Sequence, residues 1–151
     1  MLKEELINFT KAIRQSTLER LSQVPVQYEN WKPTTNSLSI SEIAQHLIDC
    51  DYWLFEKIKN NSLKSILAKA NSLIIHKRET YENLLLELEK TQKERVQLII
   101  DLSPEMLFTK IYDDRFKNDV TIWWIIVRGN LDHEIHHRGQ IALYLNMIKY
   151  Q

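Results

Sequence analysis

Leu131-Asp132-His133-Glu134-Ile135-His136-His137-Arg138-Gly139-Gln140 is the stretch on which the reading of this chain turns. As a helix it places His133 and His137 one turn apart, about 6 Å along the axis at about 1.5 Å per residue, with both side chains on one face. Two imidazoles so placed can grip one divalent ion. Catalytic zinc-type sites hold three protein ligands and leave one position open, so a third is expected. His46, far upstream, is the candidate.

Working outward, Thr121 is placed to cap this helix, which is expected to run to about Lys149. Its inward face carries Ile122, Ile126, Gly129, Asn130, His133, His137, Gln140, Tyr144, Met147 and Ile148. Polar groups in the middle of an apolar stripe need a reason, because a buried imidazole or amide without a partner costs about 1 to 3 kcal/mol. A bound metal removes that penalty. Gln140 and Asn130 lie on the same stripe, within reach of a metal-bound water or of a ligand's ring nitrogen.

Upstream, Leu2 to Leu21 repeats apolar residues every three or four positions, an amphipathic helix that Val24-Pro25-Val26 ends. Tyr28 to Ser37 reads as a loop whose aromatics close one end of a core. Ser39-Ile40-Ser41-Glu42 has capping-box spacing and opens a second helix to about Lys59, with His46 facing inward. A short helical excursion is expected over 63–73, then a long helix to Asp101. Ser103-Pro104 starts a further turn, and residues 107–119 suggest a small hairpin. His76 falls among polar residues, and His136 lies off the face of the other two histidines.

With 151 residues the chain fits one domain, 1–151, able to bury about two-thirds of the surface its unfolded form exposes. Two cores would be too many. Twenty basic and twenty acidic side chains cancel, so no overall field favours nucleic acid or an anionic membrane, and neither partner is expected. The absence of a signal-like start or of a long apolar run points to a soluble, cytoplasmic protein. Cys50 has no cysteine to pair with. One turn beyond His46, it is a candidate fourth ligand or reactive thiol, although a free buried cysteine is more often an apolar filler. Trp123-Trp124 cannot both face one core, which favours a homodimer.

His133-Glu134-Ile135-His136-His137 also satisfies H-E-x-x-H, the zinc-protease pattern in which the glutamate is the base. Those enzymes take their third ligand downstream, and no His, Asp or Glu follows His137 here. Glu134 stays a candidate base for another hydrolase.

Trp31-Lys32-Pro33, Ser39 to Leu47 and His133 to Ile141 together resemble the DinB/YfiT family of metal-dependent proteins, in order and spacing over nearly the whole chain. The resemblance implies an all-α four-helix bundle, with short helical or hairpin excursions between helices. It implies a histidine triad at His46, His133 and His137 holding nickel or zinc, and frequent dimerisation. It also implies, for some members, transfer of low-molecular-weight thiols to small-molecule electrophiles.

Three neutral imidazoles leave a divalent ion its full charge, which acidifies a bound water or thiol. Two reactions follow: a small thiol of the bacillithiol type delivered to an electrophile, or hydrolysis with Glu134 or Gln140 positioning the water. A metal-containing module that catalyses nothing is the third expectation.

Overall fold

The computed structural model describes residues 2–151. Four long helices dominate: α1 (Leu2–Ser22), α2 (Ile40–Lys59), α3 (Arg78–Asp101) and α6 (Asp132–Lys149). Between α3 and α6 come a one-turn helix α4 (Pro104–Leu107) and a hairpin of β1 (Lys110–Asp113) and β2 (Asn118–Thr121), followed by α5 (Ile122–Trp124) and a π-helical segment, Ile125–Leu131, that runs straight into α6. α2 starts where the capping box forms. Ser39 Oγ accepts from the Glu42 amide while the Glu42 carboxylate accepts from the Ser39 amide at 2.8 Å. Thr121 caps the last helix by accepting from the Trp124 amide.

No helix forms over 63–73. Residues 60–77 instead cross the outside of α2 as an extended strap, because side chains take up its backbone groups. Trp53 Nε1 donates to the Lys64 carbonyl at 2.6 Å, and buried Lys57 donates to the carbonyls of Asn61, Leu63 and Tyr112. Asp114 accepts from the Ser65 amide and hydroxyl, and Glu42 holds the far end through the Ser72 amide.

The π-helical segment, whose hydrogen bonds reach one residue further back, adds a residue between Ile122 and the histidines. Beyond it the inward face turns slightly, so that Glu134 and Ile141 are buried where His133 and Gln140 were expected, while His137, Tyr144 and Ile148 stay inward. Glu134, His137, Ile141, Tyr144 and Ile148 are buried, whereas Met147, expected inward, is 39 % exposed. Gly129 lies in this segment where Arg115 crosses it. A Cβ there would stand 2.6 Å from Arg115 Nη2, and Arg115 Nη1 donates to the Gly129 carbonyl.

The apolar core is divided. One cluster gathers Leu21, Ile43, Leu47, Tyr81, Leu88, Ile141 and Tyr144, with Trp31 edge-on to Tyr144 closing that end. The other gathers Leu6, Ile13, Leu54, Ile99, Ile122, Ile125 and Leu131. On every long helix a polar level separates them, where the expected single core would have been continuous. Among the described residues no helix is long and apolar enough to cross a membrane.

Candidate metal centre

α2 and α6 bring the histidines together in the middle of the bundle. His137 Nε2 stands 3.0 Å from His133 Nε2, and His46 Nε2 stands 3.3 Å from the same atom. The rings meet edge to face, with centroids 4.4 Å apart for His133–His137 and 5.1 Å for His46–His137. Cys50, one turn along α2 from His46, puts its sulfur 3.6 Å from His46 Nε2 and 3.7 Å from His133 Nδ1. His46, Cys50 and His133 each offer a potential ligand atom within 4.8 Å of the others.

These residues fit a metal ion better than they fit one another. A neutral imidazole nitrogen carries either a proton or an in-plane lone pair, so His133 Nε2 cannot make good hydrogen bonds to both neighbours by donating to one and accepting from the other. Ligand nitrogens about 2.05 Å from a tetrahedral ion lie about 3.3 to 3.4 Å apart, which matches the 3.3 Å between His46 and His133 and exceeds the 3.0 Å between His133 and His137. Gln140 Oε1 accepts from His137 Nδ1 at 2.6 Å, which turns the lone pair of that ring toward the other two. This is the outer hydrogen bond that histidine ligands ordinarily make.

Electrostatics keep the rings neutral. Burial, then the neighbouring His137, lowers His46 to about 4, and burial with His137 and His46 lowers His133 to about 3. His137 is lowered by burial against the opposing bond to Gln140. Burial and then Asp51 push the Cys50 thiol up to about 12, far from a thiolate nucleophile.

Glu134 does not join this site. Its side chain, one residue on from His133, points into the core, where the residue is 1 % exposed and both carboxylate oxygens are taken by Arg14, Arg95 and Thr17. Although burial pushes its pKa up, Arg95 and Arg14 together hold it at about 2. The expectation that it is a base is corrected on this geometry, since a carboxylate bound by two guanidiniums has no lone pair aimed at a substrate. Asn130 belongs to the same cluster, bonded to Arg95 and Asp51. His136 and His76 are exposed.

Sequence reasoning passed over Arg14 and Arg95. The signal was their register: Arg14 lies on the face of α1 that holds Thr10, Ile13, Thr17 and Leu21, and Arg95 on the face of α3 that holds Leu88, Thr91 and Ile99. Two openings reach the site. A groove of about 590 Å³ between α2 and the strap is lined by His46, Tyr52, Trp53, Leu63 and Ile66. A smaller one of about 410 Å³ exposes His133 beside Arg115, Arg128 and His136.

Residues 10–141 match the DinB superfamily. A Bacillus subtilis protein, YjoA, is 24 % identical over 143 residues, covering 93 % of this chain and 87 % of its own length. The crystal structure of that DinB-like protein superposes with a TM-score of 0.70 over 97 % of this chain and 93 % of its own. A Clostridium difficile 630 protein superposes with a TM-score of 0.72 at 12 % identity, over 97 % and 96 % of the two chains. The colibactin self-resistance protein ClbS, solved in complex with a double-stranded DNA, superposes with a TM-score of 0.69 at 17 % identity, over 94 % of each chain. That complex overturns the expectation that nucleic acid is excluded. Net charge averages over the whole surface, whereas binding depends on local potential, and a protein of this fold is seen on DNA.

Proposed function

The chain belongs to the DinB superfamily, and from that premise we propose that His46, His133 and His137 hold a divalent ion, nickel or zinc, at which a low-molecular-weight thiol is delivered to a small electrophile. When bound, the ion supplies positive charge that makes a coordinated thiol more acidic. The observation that carries the reading is a convergence of three neutral imidazoles with no carboxylate among them. Hydrolysis needs a group to position and deprotonate water, and the two residues expected to do so from the sequence are spent elsewhere: Glu134 on the arginines and Gln140 on His137. A thiol brings its own nucleophile. The groove beside His46, where Tyr52, Trp53, Leu63 and Ile66 form apolar wall alongside Glu42, Asp49 and Glu56, has room for a small electrophile.

The test uses monochlorobimane with a panel of small thiols, bacillithiol included. A carbon–sulfur bond forms as the carbon–chlorine bond breaks, chloride leaves, and the thiol proton passes to solvent. Turnover above the uncatalysed rate is expected only with both thiol and metal. Ester or amide turnover without thiol would favour hydrolysis. Silence in both assays, with melting unmoved by thiols, would favour a non-catalytic module.

Proton release distinguishes the ligand sets. All three imidazoles are neutral at pH 7, so coordination by them alone should release close to no protons. Cys50, protonated at that pH, would release about one per ion on binding as thiolate. Calorimetry of zinc binding in two buffers of different ionisation enthalpy is expected to give the first result, and a full proton would add Cys50 to the set.

A homodimer is part of the same proposal. Trp124 is 46 % exposed beside Phe116, and exposed Phe108 stacks on Trp123, leaving an aromatic patch around the hairpin. Light scattering after gel filtration should return twice the chain mass, and Trp124→Glu should return the monomer. A wild-type monomer would end the dimer proposal.

A further inference from the structure

The middle layer of the bundle holds four charges, one from each long helix: Arg14 on α1, Asp51 on α2, Arg95 on α3 and Glu134 on α6, all buried. They close a ring. Arg14 reaches Asp51 and Glu134 at 2.7 Å each, and Arg95 reaches Asp51 at 3.0 Å and Glu134 at 2.8 Å. Asn130 braces it, accepting from Arg95 Nη1 at 2.9 Å and donating to Asp51 at 3.2 Å, while Arg14 Nη1 is anchored by the Leu88 carbonyl and Thr91. This is the polar level that splits the apolar core.

Such a ring is a poor way to gain stability, since well-packed hydrophobic residues of similar volume often serve as well or better. Here Arg95 Nε and Nη2 also lack partners among the described residues, which adds to the cost. Position supplies a reason for it. Asp51 directly follows Cys50, and Glu134 directly follows His133. α1 and α3 contribute no candidate ligand, only the two arginines. A guanidinium is planar and directional; Arg14 forks across both carboxylates through Nε and Nη2 and Arg95 joins the same two through Nη1, so the pair fixes the spacing and rotation of α2 against α6. Those are the helices whose imidazoles must meet.

We propose that this ring positions the histidine site: Arg14 and Arg95 are positioning residues that set α2 against α6 so that His46 Nε2 comes within 3.3 Å of His133 Nε2. The inference takes its purpose from the proposed metal site, but its geometry is testable without metal.

The first readout is therefore metal-free. In wild-type protein stripped with chelator, the ring protons of His46 and His133 should show a nuclear Overhauser cross-peak. Arg14→Lys with Arg95→Lys keeps both charges but removes the fork of Arg14 and the planar head of Arg95, and the cross-peak should vanish at a temperature where circular dichroism still reports native helix. The second readout is cobalt(II) affinity and absorption. The same variant should bind about 10- to 100-fold more weakly with an altered d–d spectrum. A second variant (Arg14→Met, Asp51→Leu, Arg95→Met, Glu134→Leu) should melt no lower than wild type yet lose the cross-peak; if it fails to fold, the lysine pair decides alone. A cross-peak that persists in the lysine pair overturns the proposal. Wild type that shows the cross-peak but binds no cobalt would instead defeat the metal reading and leave the positioning role standing.

Discussion

Replacing His133 by alanine is expected to take tightly bound metal from about one ion per chain to near zero in protein purified without a histidine tag. His133 Nε2 is the shared vertex of the site, 3.0 Å from His137 and 3.3 Å from His46, so its loss leaves two nitrogens with no common neighbour. Losing an outer hydrogen-bond partner already costs about 10- to 100-fold in metal affinity, and losing a ligand should cost more. His46→Ala should lose metal comparably, because α2 supplies no other imidazole. Elemental analysis of the three proteins checks this. Retention in His46→Ala at the wild-type level would place the third ligand elsewhere.

The second large effect is on stability. Arg14→Met removes one corner of the buried ring and leaves Asp51 and Glu134 sharing a single guanidinium, with Thr17 still bonded to Glu134. Breaking a buried ion pair from one side typically costs about 3 to 5 kcal/mol, or roughly 10 °C in melting temperature for a chain of this size. Urea denaturation should show the full loss, and a change below about 1 kcal/mol would mean that the ring is solvated. Acid follows the same logic. The folded pKa of Glu134, about 2, lies below its ordinary 4.5, so its contribution is complete above about 4.5 and is lost as pH falls toward 2. His46 and His133, at about 4 and 3 against an ordinary 6.5, are held neutral by the fold. Metal-free protein should therefore lose stability as pH drops below about 6.5, before the carboxylate matters.

Much of this site was legible in the sequence because its signals are local. His133 and His137 at i, i+4 share a face on any helix, and Ser39 with Glu42 marks a helix start by spacing alone. The hairpin and the Thr121 cap belong to the same class. What escaped depends on partners far along the chain. Glu134 reads as a base in H-E-x-x-H, and only Arg14 and Arg95, 120 and 39 residues away, reveal its role as an ion-ring corner. Arg14 sits in register with the buried face of α1, but nothing local names the groups of α2, α3 and α6 that meet it. The π-helical turn shifts Met147 out and Glu134 and Ile141 in, and it forms where Arg115 from the hairpin meets Gly129, a contact that no helical wheel contains. The strap at 60–77 lost its expected helix to side chains of α2, Trp53 and Lys57, that bind its carbonyls.

X-ray absorption at the metal edge of protein purified without a tag reads the ligand set itself. Three imidazole nitrogens about 2.0 to 2.1 Å from one ion, with the imidazole scattering pattern lost in His133→Ala, is the expected result. An ion coordinated by oxygen alone, or protein that takes up no stoichiometric metal, would contradict it.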